Sequence, residues 1–309
     1  MPLQTIHRPK TLDDLVGNEA VVESLQSVLS RETDIPHVYL FTGPAGSGKT
    51  STAFVVKDML GCSDTDFYYS SARKIEDINE ILNNSTYFPA MGSIKFFLIE
   101  EAHRITGPAL DTLLKFLEFI PDHVYFGLCT SEPERWSAAK YKALKRRCHH
   151  STLQYLGLPQ IKKLLNKILE KENINDFPED VITKITEVCG GSPGQALNLL
   201  DTVIDITDNS LALKAIEDAT VTESNIAEIA RLLLSGKAQW FDIAKLIKGL
   251  AGEPESLRYA FLGYFNAVLL GKGTDRVAEM MMPFMESCMY SSRAGLTLAI
   301  YLAYKASTA

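Results

Sequence analysis

Eight residues, GPAGSGKT at positions 43 to 50, constrain this chain more than anything else in it. A β-rich apolar run, HVYLFT, leads into them, and a helix-forming run, STAFVVKDML, follows. Glycines at 43, 46 and 48 permit a turn that aims backbone N–H groups at phosphate oxygens, and the helix behind adds its positive end. A P-loop of this form wraps Gly43, Pro44, Ala45, Gly46, Ser47, Gly48, Lys49, Thr50 and Ser51 around a nucleotide. Lys49 would reach the β- and γ-phosphates, and Thr50 would offer its hydroxyl to Mg²⁺. The strand before and the helix after separate this pattern from a chance run of glycines.

The surrounding sequence has a βα rhythm. HVYLF (37–41), DFYYS (66–70), IKFFLI (94–99) and HVYFGLCT (123–130) are short β-rich runs separated by helical segments. Such alternation predicts a parallel sheet with helices on both faces. In FFLIEEAH (96–103) the third run ends on Glu100 and Glu101, where a buried strand would deliver one acid to Mg²⁺ and a second to the attacking water. After residue 156 the pattern becomes helical throughout, with a break at Gly190 and Gly191. The expected architecture is α/β: a three-layer P-loop domain over 1–156, a helical lid over 157–217 and an all-α domain over 218–309.

Composition excludes several classes. Hydrophobic content of 46% with 22% charged residues is that of an ordinary globular protein. The five cysteines are scattered and form no CxxC pair, so neither a zinc module nor a disulfide framework is expected. GLTLAIYLAY, near residue 300, is too short to span a bilayer and reads as a core helix, so no membrane association is expected. The net charge of −7 argues against a broad nucleic-acid-coating surface but leaves room for a local basic track. His149 and His150 have no ligand-spaced partner and are assigned no metal, and the methionines at 280, 281, 282, 285 and 289 read as helix core.

Taken as a set, further blocks resemble the clamp-loader ATPases of the AAA+ superfamily, closest to the bacterial gamma/tau subunit and similar to replication factor C small subunits. They are HRPKTLDDLVGNEAVVESL (7–25), the segment from SSARKIED through LIEEAHRIT (70–106), ALDTLLKFLEFIPDHVYFGLCTSEPE (109–134) and KRRC (145–148). The resemblance covers roughly residues 5 to 205. It implies an ATP- and Mg²⁺-dependent hydrolase working in the cytoplasm (or nucleoid, or host cytoplasm if viral). The third domain would be an oligomerising collar. Partners would be the other loader subunits in a five-membered ring, a sliding clamp and primer-template DNA. It also implies roles: Arg8, Val16 and Gly17 around the adenine and ribose, Glu100 on the metal with Thr50, and Glu101 as general base. Ser131 would be sensor 1, with Thr130 as the fallback. Arg147 would be an arginine finger and Lys115 a second cation, both acting on the neighbouring subunit's nucleotide. Arg73, Lys74 and Thr106 would track the DNA backbone, and Tyr87 and Phe88 would face the clamp or the core.

The departures from the family pattern are specific. Its zinc-binding cysteine cluster is absent, Gly194 stands at the sensor 2 arginine position, Arg146 replaces a Ser, and Glu100 replaces the usual Asp. By residue type alone, Glu100→Asp is expected to keep or raise activity. Two other readings are compatible with the P-loop: a Holliday-junction branch-migration motor, which would end in a winged helix carrying strands, and a non-hydrolysing structural loader subunit.

Overall fold

The computed structural model describes residues 2–71, 74–250, 254–288 and 292–308. The chain divides into two compact units, residues 1–201 and 202–309. In chain order the first unit contains α1 (Leu3–Ile6), α2 (Glu19–Leu29), β1 (Val38–Thr42), α3 (Lys49–Met59), β2 (Phe67–Ser70), α4 (Ile75–Ser85), β3 (Lys95–Ile99), α5 (Gly107–Phe116), β4 (Val124–Thr130), α6 (Ala138–Lys145) and β5 (His149–Thr152). Then follow α7 (Leu158–Lys171), α8 (Glu179–Val188) and α9 (Pro193–Val203), which crosses the division.

All strand pairs are parallel, in the order β2-β3-β4-β1-β5. β1, β3 and β4 are buried along their whole length, which is why they read as unbroken apolar runs. Side-chain alternation splits them between two cores. Val38, Leu40, Phe97, Ile99 and Phe126 face α4 and α5 through Ile78, Leu110 and Leu113. Tyr39, Phe41, Phe96 and Leu98 face α2 and α3 through Leu25, Ala53 and Val56. The result is the three-layer α/β arrangement expected from the rhythm, with every strand delivering its carboxyl end to one edge.

β5 is the strand that the sequence did not signal. Its residues, HHST, are polar and sit at the sheet edge, where cross-strand hydrogen bonds replace apolar packing. His150 Nε2 lies 2.9 Å from Thr42 Oγ1, and the Thr152 hydroxyl 3.0 Å from the same atom. His149 Nε2 lies 3.3 Å from Ser24 Oγ. Both histidines therefore have structural partners.

The lid helices bury the apolar stripe of α7 (Ile161, Leu165, Ile168), and Val181, Ile182 and Ile185 of α8 are buried as well. Gly190 and Gly191 take positive φ between α8 and α9, as the break in the pattern predicted.

Described residues of the second unit form helices only: α10 (Asn209–Ser235), α11 (Trp240–Lys248), α12 (Pro254–Lys272), α13 (Asp275–Met281), a short 3₁₀ turn and α14 (Ser292–Thr308). Their core holds Ile229, Leu233, Phe261, Phe265, Met280, Phe284 and Ile300. Met280 is core as expected, whereas Met282 and Met285 are exposed, because the 3₁₀ turn ends the helical stripe; Met289 lies outside the described residues. No described helix is long and apolar enough to cross a membrane.

One buried carboxylate organises a surface loop of the first unit. Asp66 is 1% exposed and accepts the backbone N–H groups of Ala90, Met91 and Gly92 at 2.5, 2.9 and 3.1 Å. His123 Nε2 lies 3.2 Å from both the Ser85 and Tyr87 carbonyls, and its ring stacks on Phe88 at 4.9 Å. Tyr87, Phe88 and Met91 are thereby held at 68%, 82% and 77% exposure, which decides against the core alternative for the first two. Burial pushes the Asp66 carboxyl up, but the three N–H bonds and the Lys95 ammonium outweigh it and hold the group below the ordinary carboxylate range. Its stabilising contribution is thus complete above the unfolded value of about 4 and is lost as pH falls through the lower folded value. Asp66→Asn sets an amide NH₂ against N–H donors and should destabilise the unit by about 1–3 kcal/mol. Thermal melts at neutral pH, with hydrogen exchange at residues 90–92, check this.

Candidate nucleotide-binding site

The P-loop lies between β1 and α3, and its glycines 43, 46 and 48 all take positive φ. At Gly43 a Cβ would stand 2.2 Å from the Leu153 carbonyl oxygen, so glycine is required there by space as well as by conformation. Lys49, only 8% exposed, donates through Nζ to the carbonyls of Gly43 and Pro44 at 3.0 and 2.8 Å. Burial pushes its ammonium below the ordinary lysine value, with Glu101 and Glu100 pulling the other way.

Beside the loop is a cavity of about 490 Å³, within the range of small-molecule sites. Arg8, Val16 and Gly17 line it, as do Gly46 to Ser51. Gly43, Pro44 and Ala45 do not line it; they form the outer arm of the loop, where Ala45 O accepts the Tyr155 hydroxyl at 3.1 Å. On the far wall Lys167 donates to the Asp13 and Asp14 carbonyls at 3.2 Å and pairs with the Asp14 carboxylate at 3.1 Å. Burial raises the Asp14 carboxyl, yet the Lys167 bond, the Lys10 N–H and Lys171 hold it well below its ordinary range.

Thr50 and Glu100 meet directly: the Thr50 hydroxyl donates to Glu100 Oε1. The other carboxylate oxygen accepts the Tyr69 hydroxyl at 2.5 Å. Tyr69 also lines the cavity and was not anticipated, since an exposed aromatic in a short β-rich run carries no chemical signal.

Glu101 is set apart from Glu100. Its backbone is left-handed (φ 49°), an uncommon conformation for a side-chain-bearing residue, and its Oε2 lies 3.4 Å from His103 Nε2. His103 is buried, with Nδ1 3.0 Å from Thr130 Oγ1. Burial pushes its imidazole pKa down, while Glu101 and Glu132 oppose the shift. Thr130 is fully buried and also accepts the Glu132 N–H at 3.2 Å, so its hydroxyl is committed. Ser131 follows it, half-buried, at the carboxyl end of β4. Neither Glu101 nor Ser131 lines the cavity itself.

The lid meets the loop at the Gly46 carbonyl. Gly46 O accepts the Gly194 N–H at 3.2 Å and the Ser192 hydroxyl at 3.3 Å. A Cβ on Gly194 would lie 3.5 Å from Gly46 Cα, so the residue at the sensor 2 position abuts the P-loop backbone.

The remaining predicted residues lie away from the cavity. Arg147 pairs with Glu118 and donates to the Ala143 carbonyl at 2.8 Å. Lys115 is exposed on α5. Lys74 and Thr106 are exposed N-caps of α4 and α5, and Arg73 lies outside the described residues.

ATP and Mg²⁺ fit these residues. Two buried polar atoms at the cavity, Arg8 Nε and Ser47 Oγ, lack hydrogen-bond partners, and Arg8 stacks 4.0 Å over the Phe54 ring. Thr50 and Glu100 together supply the hard oxygen donors that Mg²⁺ takes.

A family model described as DNA polymerase III, delta subunit, matches residues 63–156. DNA polymerase III subunit tau of Escherichia coli (strain K12) is 31% identical over 233 residues, 68% of this chain and 35% of that protein. Subunit gamma of Buchnera aphidicola subsp. Schizaphis graminum is 30% identical over 67% of this chain and 62% of its own length. Subunit tau of Bacillus subtilis (strain 168) is 26% identical over 95% of this chain and 53% of its own length. The chain thus spans less than two thirds of each of these relatives. Among solved structures, the Thermotoga maritima RuvB Holliday junction branch migration motor is 21% identical, with a TM-score of 0.57 over 74% of this chain and 79% of that one. A second RuvB chain, 20% identical, reaches 0.59 over 90% of each. At that identity the likeness concerns the fold alone. The sequence relatives bear out the resemblance to clamp-loader subunits.

Lys49→Ala removes a charge-assisted donor worth about 1.5–3 kcal/mol, so nucleotide affinity should fall by roughly 10-fold or more. Titration of a fluorescent ATP analogue against both chains measures it.

Proposed function

We propose, from kinship with the DNA polymerase III gamma and tau subunits, that this chain is an ATP-hydrolysing subunit of a DNA sliding-clamp loader. It would open the clamp with ATP bound and release it on primer-template DNA after hydrolysis. The observation that carries the reading is the meeting of Thr50 and Glu100 beside the buried Lys49, at the sheet edge where the P-loop turns.

In this reading the P-loop N–H groups and Lys49 cradle the phosphates, and Arg8, Val16 and Gly17 enclose the base and ribose. Thr50 and Glu100 hold Mg²⁺, which when bound neutralises charge on the β- and γ-phosphates. Glu101 takes the proton of the attacking water, and Ser131 orients that water. Thr130 is the weaker sensor because its hydroxyl already serves His103 and Glu132. Arg147, held at the surface by Glu118, would act with Lys115 on the γ-phosphate of a neighbouring subunit, in a ring of five joined through the C-terminal helices. Lys74 and Thr106, with Arg73, would follow the DNA backbone through helix-start N–H groups, a sequence-independent and salt-sensitive contact. The exposed Tyr87, Phe88 and Met91 fit a clamp-facing role. The chain would work in the cytoplasm, without zinc.

The RuvB-like fold keeps a branch-migration motor as the second reading. The helix-only described residues of the second unit favour the loader, since a winged helix carries strands. A purely structural subunit fits poorly, because Lys49, Thr50 and Glu101 are all retained.

ATPase activity should be low for the isolated chain and rise several-fold in the assembled loader with clamp and primed DNA. Unchanged turnover on adding both would point to another AAA+ function. Arg147→Ala should leave nucleotide binding by the isolated chain intact and cut assembly-dependent hydrolysis by about 10³-fold. Normal hydrolysis by that variant in the full complex would remove Arg147 from the finger role.

A further inference from the structure

The least ordinary residue in the site is Glu100, and the geometry gives its extra methylene a use. β2 and β3 are in parallel register, with Tyr69 opposite Leu98 and Ser70 opposite Ile99. Glu100 directly follows the last residue of β3, two positions after Leu98, and its side chain meets Tyr69 across the two strands. The backbone at this point is fixed, because the Glu100 N–H donates to the Ser70 carbonyl at 2.9 Å. The side chain of Glu100 then spans the gap between two elements: Oε1 takes the Thr50 hydroxyl of α3, and Oε2 the Tyr69 hydroxyl of β2.

We propose that Tyr69 is a positioning residue for the metal-binding carboxylate, and that it and Glu100 act as one unit in which the longer acid requires the tyrosine. This rests on the reading of the site as an ATP–Mg²⁺ site and adds a residue to it. The physical case has three parts. A glutamate has one more rotatable bond than an aspartate, so an untethered Glu100 would spread its carboxylate over several positions. Mg²⁺ demands near-ideal geometry and tolerates such spread poorly. A hydroxyl bonded to one carboxylate oxygen fixes the torsion and leaves the other directed at Thr50, as outer partners of metal ligands do.

The ring of Tyr69 is more than half exposed and has an aromatic neighbour. It lies 6.4 Å from Phe54, whose face carries the Arg8 guanidinium. An aspartate would draw the carboxylate back by about one C–C bond, roughly 1.5 Å. From 2.5 Å, the Tyr69 contact would then lie beyond hydrogen-bond reach. On this proposal Glu100→Asp would weaken the metal site, the opposite of what residue type alone leads one to expect.

The test is a double-mutant cycle read by Mn²⁺ affinity, followed by electron paramagnetic resonance of the full chain saturated with a non-hydrolysable ATP analogue. Tyr69→Phe keeps the ring and should weaken Mn²⁺ by about 10-fold or more. Glu100→Asp should do the same, and the double variant should be no weaker than Glu100→Asp alone. The loss of Mn²⁺ affinity in Tyr69→Phe should exceed any loss of analogue binding in EDTA by about 10-fold. Wild-type Mn²⁺ affinity in Tyr69→Phe overturns the proposal, and so do effects that multiply in the double variant. Equal loss of analogue binding in EDTA also overturns it, since the hydroxyl would then serve the nucleotide. If the wild-type chain binds no metal–nucleotide at all, the ATPase reading fails first.

Discussion

The chemistry of this molecule depends on the parallel pairing of β1 with β4 on one side and β5 on the other. Parallel strands end at the same edge, so the P-loop after β1, Thr130 at the end of β4 and Leu153 after β5 converge there. Leu153 donates its N–H to Thr42 O, and its carbonyl stands where a Gly43 side chain would be. The edge strand therefore shapes the turn that would hold phosphate. Ligand sites in open α/β sheets form at this carboxyl edge, and the cavity here follows that rule.

Much of this was legible in the sequence. Strands buried on both faces announce themselves as apolar runs, and β1, β3 and β4 did so with boundaries within a residue or two. The P-loop was legible because its conformation demands glycine at set positions. β5 was not, because an edge strand stabilised by His and Thr hydrogen bonds has the composition of a loop. The Asp14–Lys167 pair was equally hidden: its partners lie more than 150 positions apart, and single charges in a sequence carry no pairing information.

Two of the departures from the family pattern, Glu100 and Gly194, have a physical setting. Glu100 is matched by a hydroxyl at the distance its length requires. Gly194 is less a lost cation than a close approach: its amide, not a side chain, meets the loop. Residue types at aligned positions describe one end of an interaction, and in both cases the other end was supplied by an element far away in sequence.

The carbonyl of Gly46 has a consequence for communication within the first unit. It belongs to the peptide that links Gly46 to Ser47, and rotation of that peptide would point its N–H where its oxygen now points. A ligand that prefers one orientation must therefore do work on the two lid bonds that end on this oxygen. Any such coupling would be reciprocal: a second ligand that displaced α9 would change the loop's affinity by the same factor by which the loop's ligand changed its own. A single peptide plane would thus act as the shared variable between phosphate binding and lid position, with no charged side chain needed to carry the signal.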